Sequence, residues 1–195
     1  MTQQQVPSNG QCKGIDNMAI YPILTAGEPV LRQKAKKVTS FGPSLEALVE
    51  DMLDSMHVVN GLGLAAPQIG VPLRVIVIEM PAQEDDEGNE IEPSQLYVFC
   101  NPEIVKAYGE GEEDDEACLS VPGYFGAVKR APAITVKGQD IKGHRIRTKA
   151  EGLLARAFQH EIDHLNGTLY IDRVESPEKL HRIEPSAGEE AQPGI

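Results

Sequence analysis

His160 and His164 stand four residues apart with Glu161 between them, in the run Phe158-Gln159-His160-Glu161-Ile162-Asp163-His164-Leu165. On a helix, residues four apart lie one turn above each other on one face, so two imidazoles can grip one metal ion. Glu161, beside the first of them, is placed to act as a base toward water at that ion. About forty residues upstream, Cys118 sits in Glu116-Ala117-Cys118-Leu119-Ser120. A thiolate added to two imidazoles makes a three-ligand set that leaves one coordination position open. Each residue also has a plainer reading: a pair of helix histidines often serves hydrogen bonding in a core, and a lone cysteine is by default a small buried hydrophobe. A structural zinc site is disfavoured, because no fourth protein ligand is evident and His144 and His181 are weak candidates. A third stretch, Gly61-Leu62-Gly63-Leu64-Ala65-Ala66-Pro67-Gln68-Ile69-Gly70, is dense in small residues that let a backbone approach another group closely. It reads either as a tight loop feeding the next strand or as a loop laid against an active site, with Gln68 offering an amide donor. No Gly-Lys-Ser/Thr follows, which argues against a phosphate loop.

These residues must be positioned by regular elements. Thr148-Lys149-Ala150-Glu151 reads as a capping box that opens the histidine helix, and Asn166-Gly167 as its stop. At about 100° per residue, Leu154, Phe158, Ile162 and Leu165 form a core-facing stripe. Leu153, Ala157, His160 and His164 form a neighbouring stripe, with Glu161 between the two and Arg156, Gln159 and Asp163 elsewhere. A metal beside the small apolar wall of Leu153 and Ala157 suits a hydrolase for an apolar side chain. Upstream, Leu45, Leu48, Val49, Met52, Leu53 and Met56 recur at helical spacing, and their methionines read as core. Pro29 opens a helical turn. Strands are expected over Arg74–Met80, Gln95–Cys100, Glu103–Tyr108 and Pro132–Lys137, and Gly143–Lys149 leads into the histidine helix after a turn at Lys142-Gly143. Pro81–Ser94 and Gly109–Asp115 read as exposed acidic loops.

The chain has 195 residues and a formal net charge of −12. That length suits one domain with a proper core. The charge, with no basic stripe apparent in the sequence, argues against nucleic-acid binding. No apolar run is long enough to span a membrane. Three thiols, Cys12, Cys100 and Cys118, do not make a disulfide framework and point to a reducing compartment. Residues 1–18 are expected to be disordered, 19–175 to form the domain, and 176–195 to be a flexible acidic tail.

Taken together, the three stretches resemble peptide deformylases, metalloenzymes that remove the formyl group from the N-terminal methionine of new proteins. The family's motifs read here as Gly61 to Gln68, Glu116 to Ser120 and Gln159 to Leu165, in the family's order and spacing, and the resemblance runs from about Ile20 to Val174. It implies an α+β fold, with antiparallel β-sheets packed around a central metal-binding helix. It implies that Cys118, His160 and His164 hold one divalent metal ion, with Fe2+ favoured and Zn2+, Ni2+ or Co2+ as alternatives. It further implies that Glu161 carries the proton, and that Gln68 and the backbone N–H of Leu119 donate to the oxyanion. Leu62, Gly63, Glu116, Leu153 and Ala157 would contact the substrate, a nascent N-formylmethionyl polypeptide. Cytoplasmic use is the expectation, with organellar use after removal of a transit peptide as the alternative, and a monomer is the default. Some members dock transiently on the ribosome through a basic C-terminal helix; the tail here is acidic and broken by Pro185 and Pro193, so that mode is not carried over.

The family's Glu-Gly-Cys is Glu-Ala-Cys here, and Ala117 would be strained by about a kcal/mol if its position needs φ > 0. Arg130 is a candidate clamp, able to pair with Glu116 or Asp163 and lock the cysteine loop to the histidine helix. Two rivals stand beside the deformylase reading. One is another metallopeptidase that takes its third ligand downstream, from Glu175 or His181. The other is a binder of formyl peptides without catalysis.

Overall fold

The computed structural model describes residues 20–183 except Asp86. The expected disordered segment 1–18 and the end of the expected tail, 184–195, lie outside the described residues. Among the described residues, ten strands and two α-helices follow in the order α1 Pro43–Val58, β1 Gly63–Ala65, β2 Val75–Met80, β3 Gln83–Glu84, β4 Glu90–Glu92, β5 Gln95–Tyr108, β6 Glu112–Cys118, β7 Val121–Arg130, β8 Ala133–Gln139, β9 Arg145–Glu151, α2 Gly152–Leu165 and β10 Leu180–Arg182. The fold is α+β: a five-stranded antiparallel sheet ordered β1-β2-β5-β8-β9, a three-stranded sheet β10-β7-β6, and the small β3-β4 ribbon.

Strand alternation divides the core. Ala65, Ile76, Ile78, Ile134, Val136 and Ala150 pack against Phe158, Ile162 and Leu165 of α2. The intervening residues Leu64, Val75 and Val77 face the other way and pack on Leu45, Val49, Met52 and Met56 of α1. The two helices therefore cover opposite faces of the large sheet. α1 reaches only its β1-β2 end, and the outer face of β8 and β9 carries side chains instead of a helix.

Several expectations need correction. The helix does not open at Thr148: β9 runs through Glu151, and no side-chain cap precedes Gly152, whose φ of 54° suits a residue without Cβ. The pairing of Lys149 with Thr135 and Ala150 with Ile134 takes those residues into the ladder before a helix can claim them. Asn101-Pro102 does not split a strand in two. β5 continues through a register shift there, with Asn101 at φ 53° and its side chain bonded to the N–H and C=O of Val38 at 2.8 and 2.9 Å. The acidic run is not a loop: from Glu112 to Cys118 it pairs with β7 as β6, and its acids find cations that sequence does not show beside them, Glu113 on Lys179 and Glu116 on Arg130. Within 61–70 a strand and a 3-10 turn, Ala66–Ile69, replace the irregular loop. Residues 176–183 belong to the fold: Pro177–Lys179 turn, Leu180–Arg182 pair with β7, and Lys179 bonds Glu113 at 2.6 Å. A basic stripe does exist. Arg145, Arg147 and Lys149 alternate onto one face of β9, and register adds residues that are distant in sequence.

Candidate active site

The helix α2 and the β6-β7 turn bring the chemistry together. Cys118 is the last residue of β6, and His160 and His164 lie one turn apart on α2. One ligand atom from each of these three residues falls within 4.8 Å of the others. Cys118 Sγ lies 3.3 Å from His164 Nε2. A soft thiolate with two imidazoles, gathered in a buried site, is a donor set that fits zinc or a first-row transition metal. Glu175 and His181 are elsewhere: Glu175 pairs with Lys179 at 3.0 Å, and the His181 ring packs 5.3 Å from that of Phe125. His144 pairs with Asp140 at 3.1 Å on the surface.

A cavity of about 430 Å³ opens beside Cys118 and His160. Its walls include Leu62 and Gly63 from β1, Glu116 and Leu119 from the cysteine turn, and Leu153, Ala157 and Glu161 from α2. Gln68 also lines it, with Oε1 accepting the Ala65 N–H at 2.8 Å and Nε2 3.2 Å from Ser120 Oγ. The carboxamide is thus held in one orientation, nitrogen toward the cysteine. Gly63 has a steric reason to be glycine: a Cβ there would meet Glu161 Oε1 at 2.7 Å. The strand edge and the acid can approach each other only without that methyl.

Electrostatics separate the acidic groups. Burial raises the Glu161 carboxyl, and the Glu116 charge adds to this while His160 and Arg130 oppose it, leaving it at about 7. Its Oε2 has no hydrogen-bond partner among the described residues. Burial would also raise Glu116, but hydrogen bonds from Arg130 and His160 outweigh it and pull the carboxyl down to about 2. Burial pushes His164 down, helped by the His160 and Arg130 charges, so this imidazole stays neutral and able to ligate.

Glu116 is the centre of a buried charge network. Its Oε1 accepts from Arg130 Nε at 2.8 Å and Arg156 Nη1 at 2.9 Å. Its Oε2 accepts from Arg130 Nη2 and His160 Nδ1, both at 2.9 Å. Burial would lower the His160 imidazole, but hydrogen bonds with Cys118 and Glu116 raise it to about 10; on giving up one proton it would keep Nδ1–H on Glu116 and turn Nε2 to a metal. Arg130 also donates to Asp163 Oδ2 at 2.6 Å, so one guanidinium joins the cysteine strand to α2. Both acids that sequence spacing offers to Arg130 are engaged at once. Arg173 completes the pairing on Asp163. Arg156, assigned to no role from sequence, lines the cavity and bonds the Val128 carbonyl at 2.9 Å. Its position four residues before His160 was the available signal, since that spacing puts both on one helix face.

A family model described as polypeptide deformylase matches residues 20–180. The peptide deformylase of Dehalococcoides mccartyi strain CBDB1 is 45% identical over 168 residues, spanning 86% of this chain and 94% of that one. The crystal structure of a peptide deformylase from Legionella pneumophila superposes with a TM-score of 0.71 at 46% identity, covering 83% of this chain and 89% of that one. A structure of the Acinetobacter baumannii peptide deformylase with Met-Ala-Ser bound gives a TM-score of 0.72 at 33% identity, covering 81% and 100%.

Proposed function

The chain belongs to the peptide deformylase family of enzymes, and from that premise we propose that its own residues hydrolyse the formyl group of N-formylmethionyl polypeptides as follows. Cys118, His160 and His164 would hold one divalent metal ion, ferrous iron in preference to zinc, nickel or cobalt. When bound, that ion supplies Lewis acidity and makes water a better nucleophile at neutral pH.

Glu161 takes the proton of the attacking water and passes it to the departing amine. A carboxyl raised to about 7 is suited to both halves of that transfer. Water adds to the formyl carbon, the C–N bond breaks, and formate and the free N-terminal amine leave. Gln68 Nε2 and the Leu119 N–H donate to the oxyanion that develops on the formyl oxygen. Leu62, Leu153 and Ala157 line the slot for the methionine side chain, with Glu116 buried behind the ligands. Gly63, on the edge strand of the large sheet, offers its backbone to the peptide. A tripeptide beginning with methionine, bound in the Acinetobacter relative, is the product such a reaction would release.

The observation that carries this reading is Glu161, buried beside the three ligand side chains on the wall of an apolar cavity, with one oxygen unpartnered. The test is turnover of formyl-Met-Ala-Ser by anaerobically purified protein loaded with ferrous iron, beside a Glu161→Ala control. Fast formate release that the control lacks supports it. Equal release by both proteins would remove Glu161 from the reaction.

No helix among the described residues is long and apolar enough to cross a membrane. Cytoplasmic use and a monomeric state complete the proposal, and transient ribosome contact is left to surfaces other than a basic C-terminal helix.

A further inference from the structure

The outer face of the large sheet at β5, β8 and β9 gathers positive charge from three strands. Lys137 stands directly opposite Arg147, and Thr135 opposite both Lys149 and Lys106. Arg145 extends the row along β9. Five cations thus share one face with two carboxylates, Glu103 on Lys137 at 3.0 Å and Glu151 on Lys149 at 2.6 Å. Arg145 and Arg147 are exposed, and neither makes an ion pair among the described residues. The chain as a whole carries −12, so this concentration runs against its overall charge.

Two features distinguish the face from an ordinary solvated surface. Like charges directly opposite each other in an antiparallel ladder destabilise it, and Lys137 with Arg147 is such a pair. An aromatic ring is set among the cations: Lys106 Nζ lies 4.5 Å from the Tyr108 ring centroid, and the Tyr108 hydroxyl lies 3.3 Å from Thr135 Oγ1. At the far end, Lys37 joins Lys137 and Arg145 around a groove of about 490 Å³.

We propose that this face docks the phosphate backbone of RNA. Side chains two apart on a strand repeat at about 6.6 Å, so Arg145, Arg147 and Lys149 form a row about 13 Å long. That pitch is close to the step between phosphates along an extended strand. Guanidinium groups match phosphate oxygens in a fork geometry, and an aromatic ring among cations suits a base or sugar. An anionic membrane is the poorer fit, because the row carries no large apolar side chain to insert. α2 and the catalytic cavity lie across the sheet, so a docked polyanion leaves the substrate entrance clear. The inference rests on the proposed reaction only for its setting, since a polypeptide still being made is tethered to an RNA-built machine.

The test is fluorescence anisotropy of a labelled RNA hairpin titrated with the full chain at 50 and 200 mM salt. Four phosphate contacts predict an affinity loss of about 100-fold between those salts. The variant Arg145→Glu/Arg147→Glu should bind at least tenfold more weakly, with a salt slope shallower by about 2. Its fold should hold, because Glu at 147 faces Lys137 with opposite charge. Formyl-Met-Ala-Ser turnover should be unchanged, and that readout fails on its own if the proposed reaction is wrong. No binding by the wild-type chain at 50 mM salt would overturn the inference. Equal binding by the variant, a parallel loss of turnover, or binding to phosphatidylserine vesicles in place of RNA would do the same.

Discussion

Leu64, Val75 and Val77 turn toward α1, while Ala65, Ile76 and Ile78, their neighbours in sequence, turn toward α2. The same strands therefore support two different kinds of packing. On the α1 side the core is apolar apart from Ser55, whose hydroxyl is satisfied by Tyr21 and Asp51, and Met52 and Met56 are completely buried. On the α2 side an apolar stripe packs on the sheet, but the rest of the helix circumference also buries Glu161, Asp163 and His164. Buried charge is costly unless it is paired: Arg130 and Arg173 pair Asp163, Arg130 and Arg156 pair Glu116, and Glu161 has no ion pair among the described residues. The α1 side contributes stability; the α2 side gives up some of it to hold groups in a state they would not keep in water.

The comparison can be broken at either helix. Glu161→Ala should lower kcat/KM for a formyl peptide by about 10²–10⁴-fold. Because the wild-type carboxyl is buried with an unpartnered oxygen, thermal stability should not fall, and a large drop in Tm would show that Glu161 serves the fold. Arg130→Met should act on fold and metal together. It leaves Glu116 and Asp163 without the cation between them, and breaking such a buried arrangement costs about 3–5 kcal/mol. Chelator competition should then show weaker metal retention in the molecules that remain folded, as His160 loses the support behind its Nδ1 bond. Unchanged retention would reduce Arg130 to a purely structural residue. Met52→Ala on the α1 side should cost about 2–5 kcal/mol in urea unfolding, yet leave metal affinity per folded molecule as it was. If metal affinity falls in step with stability, the two faces of the sheet are coupled and the division fails.

The same contrast explains what was legible in the sequence. The periodicity that marks α1 is a local signal, so its core face from Leu45 to Met56 was readable from spacing. The cluster of Cys118, His160 and His164 was readable because spacing on a helix fixes His160 to His164, and because the cysteine turn is itself a compact motif. What long-range pairing decides was not readable. Glu112–Asp115 looks like a solvated run until β7 sets Arg130 and Lys129 across from it. Thr148–Glu151 looks like a helix cap until β8 claims it. Arg156 and Arg173 reach their acids across 40 and 10 residues, and the basic face needs three strands in register before it exists.

Ala117 supplies the smallest and most specific test. A glycine at this place in the motif would be necessary if the backbone ran through the left-handed region. Among the described residues the only positive φ angles outside glycine belong to Asn60 and Asn101, so the Ala117 methyl is unstrained. The residue is part of β6, paired across the ladder with Phe125, and the register shift falls between it and Cys118. Restoring glycine would then remove a methyl from a strand and add backbone freedom to the unfolded chain. Ala117→Gly should destabilise by about 0.5–1 kcal/mol, a Tm lower by about 1–4 °C, with kcat/KM unchanged within about twofold. A tenfold gain in kcat/KM would mean that the methyl, which lines the cavity, obstructs the substrate even though it does not strain the chain.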